Sequence, residues 1–254
     1  MPRYDFTTRR LFVEQDLQSG TPLPLDRKQS NYLINVLRHK HQDSILLFNG
    51  RDGEWLSKLE VSGRKSVTLT PFEQTRPQPK DSLLTYCFAP LKKGRLDYMV
   101  QKAVEMGAGI LQPVITEYTQ NPKIGLDKIN TNIVEAAQQC GIISLPKCLE
   151  PAKFSDLLEN WNEETCLIFC DEGSLSQNPL EALNELKSKL ESAEKKSTLA
   201  VLIGPEGGFS EAERQLLHSK EFVTAIPLGP RVLRADTAAV AALAVVQATM
   251  GDWY

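Results

Sequence analysis

From residue 83 onward the chain repeats one pattern: an apolar run of strand length, then a segment of helical spacing. "LLTYCFAP" (83–90) precedes "RLDYMVQKAVEMG", "ILQPVI" precedes "LDKINTNIVEAAQQCG", and "TCLIFCDEG" (165–173) precedes "PLEALNELKSKLESAEKK". "TLAVLIGPEGG" precedes "SEAERQLLHSK", and "FVTAIPLGP" precedes "ADTAAVAALAVVQATMG". Strands that are apolar throughout are buried on both faces, so this alternation predicts an α/β fold with a mostly parallel sheet wrapped by helices. Ligands of such sheets lie beyond the carboxyl ends of the strands. Three loops there stand out: "CDEG" at 170–173, "GPEGG" at 204–208 and "LGPRVLRADTA" at 228–238.

The first 75 residues read differently. "SILLFNGRDGEWLSKLEVSGRKSVTLT" has short apolar runs broken by Asn-Gly and Ser-Gly, which are hairpin signals. One helix is expected within "QSNYLINVLRHK", where Tyr32, Leu33, Val36 and Leu37 fall at helical spacing. The segment "TRPQPKDS" reads as a linker. The expected organisation is a small β-barrel over 1–74, a linker over 75–82 and the α/β domain over 83–254.

Charge divides the same way. Residues 1–110 carry 17 Lys and Arg against 12 Asp and Glu, and the rest carry 12 against 20, for a net charge of −3. A basic first half suits a polyanionic partner. Its clusters are Arg9–Arg10, Arg27–Lys28, "RHKH" at 38–41, Arg64–Lys65 and "KKGR" at 92–95.

Several classes are disfavoured. No apolar run reaches transmembrane length, and "MPRYDFTTRR" holds no apolar signal core. The five cysteines lack paired metal spacing, so neither zinc nor a disulfide framework is expected, and a reducing, cytoplasmic setting is. "GPEGGFS" lacks the Lys-Ser/Thr pair of a phosphate loop and does not match G-x-G-x-x-G, and a carboxylate at Glu206 opposes an anion. The capping pattern Ser210-x-x-Glu213 explains the start of the next helix, not the five residues before it. Adjacent Gly207 and Gly208 allow a ligand close to the backbone, and Glu206 complements a cation.

"LIGPEGGFS" from Leu202 and "LGPRVLRADTA" from Leu228, in that order, resemble the knotted SPOUT-class methyltransferases. More narrowly they resemble the RsmE type, which methylates N3 of a uridine in 16S ribosomal RNA. "NYLINVLRHKHQDSILLFNGRDGEW" resembles that family's N-terminal barrel, "LKKGRLDYMVQKAVEMGAGILQPV" the entry to its catalytic domain, and "EAAQQCG" with Leu145–Pro146 a further segment. The resemblance implies S-adenosylmethionine as cofactor, a deep trefoil knot in the C-terminal domain and a homodimer. It also implies a PUA-like barrel that binds small-subunit ribosomal RNA, with the assembled subunit as substrate and no metal or membrane involved.

The cofactor residues implied are Cys170, Asp171 and Glu172; Ile203, Gly204, Pro205, Glu206, Gly207 and Gly208; and Leu228, Gly229, Arg231, Val232, Leu233, Arg234 and Thr237. Arg234 is expected to stabilise negative charge developing on the base. Asp236 is a candidate base, a partner orienting Arg234, or simply a helix cap. Arg9, Arg10, Arg38, Lys92, Lys93 and Lys102 are the expected RNA contacts. None of the three histidines lies in these loops, so no histidine base is expected. The chain departs from the family pattern at Asp236, where glutamate is usual, and at Ile142 and Tyr118, where arginine is common. Alternatives are ribose 2′-O methylation, a non-catalytic ribosome-assembly protein and, weakest, a nicotinamide-dependent oxidoreductase.

Overall fold

The structure is a computed structural model that describes Asp5 and residues 7–63, 66–171, 173, 178–192 and 198–253. It divides into two units, Met1–Lys80 with Ala137–Leu145, and Asp81–Ala136 with Pro146–Tyr254. Arg64, Lys65 and Glu172, and the side chain of Lys93, lie outside what is described.

In the first unit β1 (Arg10–Phe12), β2 (Leu23–Pro24), β3 (Ser44–Phe48), β4 (Glu54–Gly63) and β5 (Ser66–Arg76) form one sheet, ordered β1-β3-β4-β5-β2. Only β1 and β3 run parallel. Register shifts between Glu54 and Trp55, Leu56 and Ser57, and Val61 and Gly63 bend the long β4–β5 ribbon, because each bulge adds local twist. The sheet curls over a core that includes Val13, Leu33, Ile45, Leu47, Leu59 and Leu69. The expected helix starts earlier and ends sooner: α1 (Arg27–Asn31) continues into a π-helical turn, Tyr32–Val36. Asp26 sets the start by accepting the Gln29 N–H at 2.7 Å. Arg38, with φ 59°, lies beyond its end. Strand β5 runs to Arg76, two residues into the segment read as a linker.

In the second unit β6 (Thr85–Phe88), α2 (Lys93–Glu105) and β7 (Ile110–Ile115) come first, followed by α3 (Leu126–Cys140), whose residues from Ala137 belong to the first unit. Then follow β8 (Lys147–Cys148), β9 (Ala152–Lys153), α4 (Phe154–Glu159), β10 (Thr165–Cys170) and α5 (Pro179–Ser192). The chain closes with β11 (Thr198–Ile203), α6 (Glu211–His218), β12 (Val223–Ile226) and α7 (Ala235–Met250). The sheet order is β12-β10-β11-β6-β7-β8 with β9 beside β7, and every pair is parallel. The five expected strand–helix pairs are all present. The sheet is buried on both faces, as the unbroken apolar runs required. Cys87, Leu167, Phe169 and Leu202 pack with Phe154 and Leu158 of α4 and Leu217 of α6. The alternate residues Tyr86, Phe88, Ile168 and Val201 are equally buried. Each such side chain contributes about 1.5–3 kcal/mol.

Candidate functional site

Strands β12, β10 and β11 are neighbours, with Cys170 opposite Ile226 and Phe169 opposite Leu202. The three unusual loops therefore leave the sheet side by side. Between them lies a cleft of about 710 Å³, within the usual range for small-molecule sites. Most of the expected cofactor residues line it: Cys170 and Asp171, then 203–208, then Leu228, Gly229 and 231–234. Thr237 and Asp236 do not line it.

The middle loop is built by its neighbours. Gly208 has φ +72° and donates its N–H to the Pro205 carbonyl at 3.0 Å, which closes the turn in a conformation few side chains tolerate. Ser210 then caps α6 through the expected reciprocal pair: its hydroxyl accepts the Glu213 N–H, and Glu213 Oε2 accepts the Ser210 N–H at 2.9 Å. Glu206 is exposed and 3.6 Å from Arg95 of α2. Segment 227–234 has no regular structure, which leaves its backbone groups outside any ladder.

Asp171 is the buried charge at the cleft wall. Burial opposes its ionisation. The Gly173 N–H, the Arg214 guanidinium and His218 outweigh that and hold the carboxyl below the usual carboxylate range. Gly173 donates at 3.0 Å, Arg214 Nη2 lies 3.0 Å from Oδ1, and His218 Nε2 lies 2.9 Å from Oδ2. Beside it, burial pushes the Cys170 thiol up, so this cysteine stays protonated and lines the cleft as a neutral group.

Arg234 lines the cleft as an exposed side chain at the N-cap of α7 and makes no side-chain capping bond. Asp236 turns its Oδ1 to the Thr237 N–H at 2.9 Å. No ion pair between Arg234 and Asp236 is found among the described residues.

Of the expected RNA contacts, Arg9, Arg38 and Lys92 are exposed. Arg10 needs correction: it is buried, its Nε 2.7 Å from Glu54 Oε2, because a buried carboxylate demands a charged partner. Lys102 is partly covered, its Nζ 2.7 Å from Glu105 and 5.5 Å over the Tyr98 ring.

Sequence reasoning did not find Arg214, His218, Phe169 or Phe209 at the site. The signal for the first two was their i, i+4 spacing on α6, which puts two nitrogen-bearing side chains on one helical face. Phe209 meets Phe169 edge-on, with ring centroids 5.2 Å apart. Among the described residues no group of three metal-ligating side chains is found, and no helix is long and apolar enough to cross a membrane.

Residues 78–247 match the family described as RNA methyltransferase domain, and residues 25–72 match the RNA methyltransferase PUA domain. A relative from Rickettsia conorii named ribosomal RNA small subunit methyltransferase E is 27% identical over 239 residues, spanning 94% of each chain. A solved structure from Legionella pneumophila, described as a putative methyltransferase in complex with the bound cofactor SAM, is 28% identical. It superposes with a TM-score of 0.76 and covers 95% of this chain and 98% of its own. The ribosomal RNA small subunit methyltransferase E of Neisseria gonorrhoeae, solved bound to S-adenosyl methionine, shares the fold at 24% identity. Its TM-score is 0.83 over 98% of this chain and all of its own. With its cleft-bearing unit matched over more than half of all its residues, the chain belongs to the RNA methyltransferase family.

Proposed function

We propose that this chain transfers the methyl group of S-adenosylmethionine to N3 of a uridine in small-subunit 16S ribosomal RNA. The observation that carries the reading is the convergence of the three loops on one cleft with Arg234 at its edge. The cleft residues fit the cofactor. The volume suits a nucleoside-sized ligand, and Leu228, Val232 and Leu233 offer apolar walls for an adenine. The irregular backbone of 227–233 offers polar groups, and Glu206 offers a carboxylate toward a cationic ligand. When bound, S-adenosylmethionine supplies a methyl already activated on a sulfonium.

The chain's own residues do the rest. Holding donor and acceptor in line contributes about 7–11 kcal/mol. Uridine N3 becomes nucleophilic once its proton leaves, and negative charge then spreads over the base oxygens. The Arg234 guanidinium stabilises that charge. Asp236, whose Oδ1 accepts the Thr237 N–H, keeps Oδ2 to accept the N3 proton or to orient Arg234. N3 is occupied in a base pair, so the target is unpaired or extruded when it reacts. Exposed Arg9, Arg38 and Lys92 supply phosphate contacts, which set position rather than sequence. The reading carries with it a trefoil-knotted second unit, a homodimer, an assembled subunit as substrate and a cytoplasmic location.

The test is to incubate the protein with labelled S-adenosylmethionine and small subunits from cells lacking the enzyme, then identify the labelled nucleoside. 3-Methyluridine is expected. A 2′-O-methylated nucleoside selects ribose chemistry instead. Cofactor binding with no label in RNA selects an assembly factor.

A further inference from the structure

Beside the cleft lies an aromatic side chain that the cofactor reading does not use. Tyr118 follows β7 in a short turn and is 46% exposed. It leans on the glycine loop. A Cβ built on Gly207 would lie 3.1 Å from the Tyr118 Cβ, 3.6 Å from its Cγ and 3.8 Å from its Cδ2. Gly207 itself lines the cleft. A side chain there would shift Tyr118 by a few tenths of an ångström, so the missing Cβ lets its stem lie close against the glycine loop.

The turn that carries Tyr118 is held from two directions. The Thr116 N–H donates to Thr119 Oγ1 at 2.9 Å, and the two hydroxyls are 2.9 Å apart. The Glu117 N–H donates to Glu213 Oε1 at 2.9 Å. Glu213 is also the capping-box residue that fixes the start of α6. One carboxylate thus ties the tyrosine turn to the helix that follows the glycine loop. The ring itself has no hydrogen bond among the described residues. It is a half-exposed flat surface carried on an ordered turn.

We propose that Tyr118 is the platform on which the target base stacks as it enters the cleft. This rests on the reading of the chain as a methyltransferase acting on an RNA base. A base acted on outside a helix has lost its stacking neighbours, and an aromatic face replaces them. A tyrosine ring does this without reading sequence, since every base has a π-face. Fixing the acceptor next to the loop that holds the donor lowers the cost of aligning the two. Tyr118 acts by positioning and takes no part in proton or methyl transfer.

Variants Tyr118→Phe, Tyr118→Leu and Tyr118→Ala separate a stacking ring from a merely space-filling one. Methyl transfer to unmodified small subunits is measured for kcat and KM, alongside calorimetry with S-adenosylmethionine alone. Phenylalanine is expected to keep kcat/KM within about twofold, and leucine and alanine to lower it about ten- to a hundredfold. Cofactor affinity should be unchanged throughout, and the loss should be the same at low and high salt, because stacking is not screened. A leucine variant as active as wild type overturns the proposal. So does a loss of transfer matched by an equal loss of cofactor affinity, which would make Tyr118 a prop for the glycine loop. Wild-type protein that binds the cofactor but labels no RNA sinks the proposed function first, before any variant is compared, and takes this inference with it.

Discussion

Glu54 in the first unit and Asp171 in the second are both buried carboxylates held below their ordinary ionisation range, and their surroundings differ. Around Glu54, burial raises the pKa, but Arg76, Arg10 and Thr75 outweigh it. Arg10 Nε is 2.7 Å away, Arg76 Nη2 2.6 Å, and the Thr75 hydroxyl donates at 2.9 Å. The cluster joins β1, β4 and β5. Through the Arg76 bond to the Gly141 carbonyl, 2.9 Å, it also holds the returning segment 137–145. Asp171 lines the cleft, and its partners Arg214 and His218 come from one helix and remain 33% and 48% exposed. The first unit buries charge to fasten four pieces of chain. Among the described residues of the second unit, the buried charged side chain is Asp171, at the cleft wall.

The largest expected effect breaks that contrast at its structural end. Glu54→Ala leaves two cations around an empty acceptor and should cost about 3–5 kcal/mol of stability in urea unfolding of the intact protein. Acid should reach the same loss in the wild type. A carboxyl whose folded pKa is lowered stabilises the fold fully above about pH 5. That stability is lost as pH falls below about 4 toward the folded value, because the unfolded chain binds the proton first. A variant as stable as wild type, with the same acid slope, would show that Glu54 does not fasten the unit.

Next in size is the functional end. Arg234→Ala should lower methyl transfer about 10²–10³-fold. Its unfolding midpoint should not move, since the side chain is exposed, and S-adenosylmethionine affinity should stay within about threefold. Unchanged turnover would remove Arg234 from the chemistry. The smallest effect sharpens the comparison within the basic first half. Arg38→Ala should weaken RNA binding only a few-fold and reduce the salt slope by about one. Arg10→Ala should instead lower stability and leave that slope alone. A change of salt slope in the Arg10 variant would place that arginine back on the RNA surface.

Much of the second unit was legible before any coordinates. Each of the five strand–helix pairs there announces itself through short-range periodicity, and Ser210-x-x-Glu213 forms the capping box its spacing specifies. Residues 142–164 were not legible. Strands β8 and β9 have two residues each and α4 has six, too short for a period to show. In the first unit Arg10 looked like a surface charge because it sits beside Arg9 in a basic cluster. Its partner Glu54 is 44 residues away.

The sequence by itself determined the alternation of strand and helix, the burial of both sheet faces and the residue types in the three loops. These follow from local spacing and side-chain chemistry. The tertiary structure alone decided that β12, β10 and β11 lie together, that 137–145 returns to the first unit, and that His218 meets Asp171 across 47 residues. Strand order is chosen by how whole layers pack, and no local period records it, so a site assembled from the ends of three strands becomes visible only once the sheet is formed.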